Sequence, residues 1–272
     1  SPPFSRMAFL RAAPQEGHAG ERGRPMKIWG ITDVGLVRKE NQDAYAVESR
    51  DGFDICAVCD GMGGAAAGKL ASEIAVRTYM EALGETLTEG MDLDAVQSAM
   101  AAAASQANRA IREEAARKPE YAGMGTTLVS AVSGKDGIVL VNVGDSRAYR
   151  ITAEGIQRIT RDHSLVESMV ERGDITEEEA RRHPNRNLIT RALGTDETVE
   201  SDGYRTTLSE GEYLLLCTDG LTITVTDQEM LFEILHGGDE ESCLSRLLAI
   251  AKEHGAPDNV TAVLMRQTEG GQ

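Results

Sequence analysis

Basic residues are scarce in this sequence. Its 272 residues contain 28 Lys and Arg against 44 Asp and Glu, which gives a net charge of −16. Proteins that bind nucleic acid neutralise the phosphate backbone with an excess of Lys and Arg. The composition therefore predicts no nucleic-acid partner, and the same deficit disfavours binding to an anionic membrane surface.

Long hydrophobic runs are also missing. No stretch approaches the roughly 20 apolar residues of a membrane-spanning helix, and the opening SPPFSRMAFLRAAPQ lacks the apolar segment of a signal peptide. We therefore expect no membrane partner and a cytoplasmic location.

Residues 1–25 are rich in Pro, Gly, Ala and Arg without periodicity. We interpret them as an N-terminal tail that is disordered or left over from cloning, with Met26 as the natural start.

Cysteine is rare, with four residues in the chain, which excludes a disulfide scaffold. Cys56 and Cys59 form a C-x-x-C sequence, a spacing found in zinc and redox sites. They lie in an apolar run typical of a β-strand, where positions three apart point to opposite faces. Two such thiols cannot chelate one ion, so we interpret both as core residues.

Short apolar or alternating runs predict ten β-strands. They span 27–32, 44–49, 53–59, 126–132, 137–143, 147–152, 155–160, 204–208, 212–218 and 259–265. Helical spacing of apolar residues predicts helices over 66–83, 92–117, 227–236 and 240–254, with Asp92 as the N-cap of the second.

The order of these elements predicts the fold. The turn sequences GKDG and AEG join the strands between 126 and 160, which indicates an antiparallel meander. Residues 164–192 are polar and charged and should leave the sheet. We expect an α+β fold: two packed antiparallel β-sheets, a β-sandwich, flanked on both sides by pairs of α-helices.

Aspartates recur at the ends of the predicted strands. They are Asp43, Asp60, Asp145, Asp219 and Asp258. Antiparallel strands bring ends of both polarities to one edge, so these carboxylates can converge. Grouped carboxylates repel one another unless cations neutralise them, and oxygen ligands favour Mg²⁺ or Mn²⁺ over Zn²⁺. Each aspartate alone could be an ordinary turn residue; five together, with Gly61, Gly144 and Gly220 beside three of them, favour a metal site.

Eight motifs in a fixed order carry a family resemblance. They are TDVGLVRKENQDAY (32–45), VCDGMGG (58–64), GMGTTL (123–128), NVGDSRAY (142–149), TRDHS (160–164), ITRALG (189–194), CTDGL (217–221) and PDNVTAV (257–263). With them, residues 27–266 resemble the bacterial metal-dependent (type 2C) protein serine/threonine phosphatases. The resemblance implies a sandwich of two antiparallel sheets between helix pairs, in a single domain over 26–268. It also implies that 164–192 is the family's flap beside the active site.

The resemblance assigns roles to the aspartates and their neighbours. Asp60 would bridge two Mn²⁺ or Mg²⁺ ions, with the Gly61 carbonyl on one of them. The second ion would be completed by Asp219 and Asp258. The other implied site residues are Asp43, which would contact the shell of the first ion through water; Asp145, holding a third ion with Asp219; and Arg38, binding the substrate phosphate.

The implied reaction is hydrolysis of phosphoserine and phosphothreonine in proteins. A hydroxide between the two ions would attack phosphorus, so no phosphoenzyme forms. The expected partners are phosphorylated proteins and a bacterial Ser/Thr kinase whose action the enzyme opposes, and we expect a monomer. The alternative is a pseudophosphatase, a signalling or binding module with the same fold; the presence of Asp60, Asp219 and Asp258 favours the enzyme.

Two motif positions leave the general acid unassigned. Met62 stands where many eukaryotic relatives have a His that is thought to protonate the leaving group, and Met carries no proton to donate. Metal-bound water is the first candidate instead. His163, the one histidine in a nearby motif, is interpreted as structural.

The remaining motif residues are expected to support the site. Arg147 should orient Asp145 through a salt bridge, and Asn259 should brace Asp258. Ile223 stands where relatives usually have Asp or Asn, so we expect altered local hydrogen bonding and no loss of metal.

Overall fold

The computed structural model describes residues 26–268, which form eleven β-strands in two antiparallel sheets. The five-stranded sheet has the order β1 (Met26–Asp33), β11 (Val260–Gln267), β10 (Tyr213–Cys217), β7 (Arg147–Thr152) and β8 (Gly155–Arg158). The other has the order β2 (Asp43–Arg50), β3 (Phe53–Met62), β5 (Leu128–Gly134), β6 (Gly137–Val143) and β9 (Asp202–Thr206), with β4 (Gly125–Thr126) paired to β3. The predicted fold class is confirmed; the tail prediction for 1–25 lies outside the described residues.

Each sheet carries two long helices on its outer face. The six-stranded sheet packs against α1 (Ala65–Thr86) and α2 (Leu93–Ala115), and the five-stranded sheet against α6 (Asp227–His236) and α7 (Glu240–Glu253). The shorter helices are α3 (Leu165–Glu171), α4 (Glu177–Arg182), α5 (Asp219–Thr222) and a 3-10 turn at Pro119–Tyr121. Asp92 caps α2 as expected, because its carboxylate accepts a 2.8 Å hydrogen bond from the Ala95 N–H. Within residues 26–268, no helix has the length and hydropathy needed to cross a bilayer.

The facing sides of the two sheets form the central core, and β3 shows how the chain divides between layers. Cys56 and Val58 pack into the space between the sheets, whereas Ala57 and Cys59 pack under α1 and α2. Both thiols are fully buried and neither forms a disulfide, and burial raises the pKa of Cys56 to about 12. The interpretation of Cys56 and Cys59 as core residues on opposite faces is confirmed.

The predicted meander between 126 and 160 is wrong. The hairpins β5–β6 and β7–β8 form where the turn sequences indicate, but they belong to different sheets. After β6 the chain crosses the sandwich, so β6 pairs with β9 and β7 pairs with β10. Turn residues determine local hairpins, while the choice of sheet depends on which distant strand supplies the next row of hydrogen bonds.

The strand predicted over 53–59 is longer than expected. β3 runs to Met62, so Asp60 lies inside it and not at its end. Gly61 and Met62 remain in the strand because β4 pairs with them. Asp60 is directly opposite Asp43, the first residue of β2, which places the two aspartates on the same face of the strand pair.

Residues 164–192 leave both sheets, as predicted. They contain α3 and α4, whose N-caps are the hydroxyls of Ser164 and Thr176. A backbone bridge between Ser164 and Ile189 closes the excursion at its base. The segment is therefore anchored at both ends while its two helices contain no buried residue.

Candidate active site

A pocket of about 390 Å³ collects most of the predicted site residues. Its lining includes Arg38, Asp60, Gly61, Met62, Asp145, Asp219 and Asp258. The six-stranded sheet supplies Asp60 from β3 and Asp145 from the turn after β6. The five-stranded sheet supplies Asp219, shortly after the end of β10, and Asp258, just before the start of β11. Asp43 does not line the pocket; it is 9% exposed and lies across the strand pair from Asp60.

Four carboxylates in and behind this pocket have raised pKa values, because they are buried and lie near one another. Burial raises the pKa of Asp43 to about 7 and that of Asp219 to about 6. Burial also raises the pKa of Asp60 well above its ordinary value, and the charges of Asp43 and Asp219 add to the effect. The pKa of Asp145 is raised in the same way, by burial and then by Asp219. A bound cation would remove both the desolvation cost and the repulsion.

Two of these carboxylates have an oxygen without a hydrogen-bond partner. Among the described residues, Oδ1 of Asp43 and Oδ1 of Asp219 are buried and accept no hydrogen bond. A buried polar atom left unpaired costs free energy and calls for an explanation. Because carboxylate oxygens are preferred ligands of hard divalent cations, both atoms are suited to Mg²⁺ or Mn²⁺.

Asp258 differs from them because both of its oxygens are engaged. Arg38 Nη2 donates to Oδ2 at 2.7 Å, and the backbone N–H of Asn259 donates to Oδ1 at 2.8 Å. Within residues 26–268, no three His, Cys, Asp or Glu side chains are grouped closely enough to hold a metal ion by themselves. Each carboxylate oxygen has a further lone pair, so Asp258 can bind a cation while it still accepts from Arg38.

The glycines beside the aspartates are required by backbone packing. A Cβ on Gly61 would lie 2.1 Å from the carbonyl oxygen of Gly68 in α1 and 2.6 Å from that of Gln42. A Cβ on Gly220 would lie 1.9 Å from the carbonyl oxygen of Asn259. Any side chain would therefore push apart the segments that carry Asp60, Asp219 and Asp258.

The side chain of Asn259 braces the loop that carries Arg38, whereas Asp258 accepts from the Asn259 backbone N–H; the expected brace on Asp258 therefore comes from the main chain and not from the side chain. Asn259 Oδ1 accepts from the Gln42 N–H at 2.8 Å. Its Nδ2 donates to the carbonyls of Val34 at 2.9 Å and Glu40 at 3.0 Å. One buried amide thus ties both ends of the 34–42 loop to the start of β11.

The expected salt bridge from Arg147 to Asp145 is also wrong. Arg147 is paired with Asp162, through Nε at 2.9 Å and Nη2 at 2.6 Å. The Asp162 carboxylate is better placed because the loop after β8 returns beside β7. The charge of Arg147 still lowers the pKa of Asp145, but this effect is smaller than the rise from burial.

His163 makes structural contacts on both ring nitrogens, as expected. Its Nδ1 accepts from the Gly144 N–H at 3.0 Å, and its Nε2 lies 3.2 Å from Asp202 and 3.0 Å from Arg191. Burial lowers its pKa. His163 is not among the residues that line the pocket, whereas Met62 is.

Ile223 ends the short helix that Asp219 begins. Its N–H donates to the Asp219 carbonyl at 2.8 Å, and its side chain is 38% exposed. The position therefore adds no polar group beside the Asp219 carboxylate, and the expected change in side-chain hydrogen bonding stays a prediction.

Four threonines near the aspartates were not identified from the sequence as site residues. Thr127 Oγ1 accepts from the Asp60 N–H at 2.9 Å, and Thr126 Oγ1 donates to the Asp60 carbonyl at 2.7 Å. Thr218 and Thr261 both donate to Asp43. Their sequence signal is weak, since the consecutive threonines of GMGTTL and the Thr before Asp219 also fit ordinary strands.

Comparison with known proteins shows the family of this chain. The profile of the protein phosphatase 2C family matches residues 37–264. Serine/threonine phosphatase stp of Listeria monocytogenes serovar 1/2a is 37% identical over 238 residues, which cover 87% of this chain and 94% of that protein. The crystal structure of serine/threonine phosphatase Stp1 from Staphylococcus aureus has a TM-score of 0.84 and 35% identity, covering 94% of this chain and 100% of that one.

A second solved structure is similar over almost the same length. It is the catalytic domain of the serine threonine protein phosphatase PstP in complex with two manganese ions. Its TM-score is 0.77 and its identity 32%, with 90% of this chain and 99% of that chain covered. Two antiparallel sheets between helix pairs, with a carboxylate-lined pocket at the strand ends, define the class: the chain belongs to the protein phosphatase 2C family. Within that family it is a protein serine/threonine phosphatase, an enzyme that acts on phosphorylated proteins.

Proposed function

We propose that this phosphatase is metal-dependent and uses two Mn²⁺ or Mg²⁺ ions held at the pocket. The proposal is carried by one observation: buried, mutually repelling carboxylates converge in and behind the pocket, and two of them, Asp43 and Asp219, have an unpaired oxygen. Asp60 would contact both ions, with the Gly61 carbonyl on one and Asp219 and Asp258 on the other. The structure of PstP with two manganese ions supports the number of ions.

Two further site residues complete the proposed arrangement. Asp43 would contribute to the surroundings of the first ion, and Asp145 with Asp219 would hold a third ion. When bound, the cations would lower the pKa of a shared water and so supply the attacking oxygen at neutral pH. No side chain of this pocket is then needed as a nucleophile, and no phosphoenzyme forms.

Arg38 is proposed to bind the substrate phosphate. Its side chain is 50% exposed at the pocket, and the bond to Asp258 uses only one of its nitrogens. The guanidinium has five N–H groups in a planar fork, so the others remain available to phosphate oxygens. Asp258 would fix the guanidinium, and Arg38 would stabilise charge on the phosphate as the bond to the leaving oxygen breaks.

The proton for the leaving group does not come from Met62 or from His163. Met62 has no ionisable proton, and His163 has both ring nitrogens engaged away from the pocket. We propose that the serine or threonine oxygen takes its proton from solvent at the pocket.

The cellular setting follows from the proposed reaction. A phosphatase of this kind would oppose a Ser/Thr kinase, and residues 26–268 would form one catalytic domain with 164–192 as its flap. The cytoplasmic location and the monomeric state stay predictions.

Hydrolysis of p-nitrophenyl phosphate and of a phosphothreonine peptide tests the proposal. We expect turnover with Mn²⁺, none with EDTA, and a loss of at least about 100-fold in Asp219→Ala, because this variant lacks a proposed ligand of the ions that would activate the attacking water. Asp136→Asn, in the exposed turn between β5 and β6, is the matched control and should retain activity. Turnover in EDTA would overturn the metal mechanism, and no turnover in any condition would favour the pseudophosphatase alternative.

A further inference from the structure

A chain of hydroxyl groups ends on one oxygen of Asp43. Thr261 Oγ1 lies 2.7 Å from Asp43 Oδ2 and Thr218 Oγ1 lies 3.0 Å from the same atom. Thr261 Oγ1 is in turn 2.7 Å from Thr32 Oγ1, which is 2.7 Å from Asn41 Nδ2. Thr218 and Thr261 are both fully buried.

The direction of these hydrogen bonds is determined by their outer members. Thr261 donates its one hydroxyl hydrogen to Asp43, so it must accept from Thr32. The Asn41 amide nitrogen can only donate, so Thr32 accepts from it and keeps its own hydrogen for Thr261. Thr218 accepts from the Thr261 N–H at 3.0 Å, which leaves its hydroxyl hydrogen for Asp43. All of these donors therefore point toward Asp43 Oδ2.

The result is an asymmetric carboxylate. Asp43 Oδ2 has two hydroxyl donors, whereas Oδ1 is buried without any. Two donated hydrogen bonds stabilise the anion and also prevent rotation of the group. Asp43 itself is directly opposite Asp60 in the β2–β3 pair, close enough for the charge of Asp43 to raise the pKa of Asp60.

We propose that Thr218 and Thr261 are positioning residues that fix the Asp43 carboxylate with Oδ1 presented to a divalent cation. The inference rests on the proposed metal dependence, and it names the two residues that orient the Asp43 carboxylate within the proposed metal site. The threonines act only through Asp43, because neither of them lines the pocket. Outer groups that orient a metal-binding side chain typically change metal affinity by about 10–100-fold when removed.

Mn²⁺ titration of the full chain by calorimetry tests the proposal. Thr261→Val and Thr218→Val keep the side-chain shape and remove the donor; each should weaken Mn²⁺ binding by about 10-fold or more. Thr261→Ser and Thr218→Ser keep the hydroxyl and should restore affinity to within about 3-fold. The matched control is Ser130→Ala, which removes a buried hydroxyl that donates to the Cys56 carbonyl at 2.8 Å. It should bind Mn²⁺ as the unsubstituted protein does.

A double-substitution cycle keeps the test decisive if a valine variant folds poorly. Asp43→Asn removes the charge that the threonines orient, so adding Thr261→Val in that background should change Mn²⁺ affinity by less than about 2-fold. Equal Mn²⁺ affinity in the parent protein and both valine variants would overturn the positioning role. A full effect of Thr261→Val in the Asp43→Asn background would overturn it as well. Failure of the parent protein to bind Mn²⁺ would instead contradict the proposed function.

Discussion

The chemistry of Asp43 depends strongly on its surroundings. This residue does not line the pocket; it accepts hydrogen bonds from two threonines and is directly opposite Asp60 in the strand pair. Burial is the largest cause of its raised pKa, about 7 against 3.8 for an ordinary Asp, and the threonine hydrogen bonds oppose that rise. In the absence of a cation, ionising this group therefore opposes folding.

The pH dependence of stability should show this effect. Between pH 4 and pH 7 the unfolded chain ionises Asp43 while the folded protein still binds the proton, so folding stability falls as pH rises through this interval. Asp43→Asn lacks this loss. In EDTA, its free energy of unfolding relative to the parent protein should increase from pH 4 to pH 7 by a few kcal/mol.

Urea unfolding at unit pH steps measures the difference. Asp136→Asn, a change in an exposed turn, is the control and should show no such increase. A constant difference between Asp43→Asn and the parent protein over this interval would contradict the raised pKa.

Arg38 and Asp258 form an ion pair that contributes little to stability. Their side chains are 50% and 22% exposed, and pairs open to solvent are typically worth less than about 1 kcal/mol. The geometry of this pair matters for the pocket, because Asp258 holds the Arg38 guanidinium beside the other carboxylates, where it would bind the substrate phosphate.

The 34–42 loop is the element that presents Arg38. It is tied to β11 by three hydrogen bonds of the Asn259 side chain, and Leu36 N–H donates to the Ala256 carbonyl at 2.9 Å. The loop thus receives its shape from residues more than 200 positions away in the sequence.

Loss of this brace should affect substrate binding. In Asn259→Ala the loop ends separate, so we expect KM for a phosphopeptide to rise by about 10-fold while kcat changes less, because Arg38 is misplaced in the ground state. Steady-state kinetics with Mn²⁺ measure the split. Asn108→Ala is the control: this buried amide braces Gly194 and Asp196 in the same manner, and its loss should leave KM unchanged. A KM in Asn259→Ala equal to that of the parent protein would refute the role of the loop.

The 164–192 segment, which we propose as the flap, is the second element at the pocket. Asn187 and Ile189 line the pocket, and Leu188 between them is 52% exposed. The helices α3 and α4 have no buried residue, so no buried apolar side chain of their own holds them in one place.

Exchange of the flap should change which peptides are preferred. With 164–192 replaced by the flap of a relative, the ratio of kcat/KM between two phosphopeptides of different flanking charge should shift by at least about 5-fold, since contacts outside the reacting group set such ratios. Turnover of p-nitrophenyl phosphate, which has no flanking residues, serves as the control and should stay within about 2-fold. An unchanged peptide ratio would show that the flap is only a solvated surface.

At the scale of the whole molecule, the two sheets bring carboxylates of both into one pocket. Within residues 26–268, each sheet is stabilised by its own helix layer and by the shared core between the sheets. The carboxylates oppose that packing, because their repulsion is strongest when the sheets are correctly assembled.

Divalent cations should therefore stabilise the folded protein. At a Mn²⁺ concentration 100 times the dissociation constant, each site adds about 2.7 kcal/mol, which raises Tm by several degrees. Thermal unfolding with Mn²⁺ and with EDTA measures this rise. NaCl at equal ionic strength is the control for charge screening; a Tm increase as large with NaCl as with Mn²⁺ would count against a specific site.

The sequence by itself determined the elements and the identity of the acidic residues. Apolar periodicity located the main strands and the four long helices, and GKDG and AEG located two hairpins, because these signals are local. The order of motifs also indicated the family. The five aspartates were identified from their positions beside strands, before any contact between them was known.

Only the tertiary structure decided how these parts meet. It placed the two hairpins in different sheets and paired Arg147 with Asp162. It also directed the Asn259 side-chain amide toward the loop that carries Arg38. It also brought Thr218 and Thr261 onto Asp43 across 175 and 218 positions of sequence. A hydroxyl on a strand has no local preference for such a partner. The pairing therefore follows from the way the sheet that contains β10 and β11 packs against the sheet that contains β2.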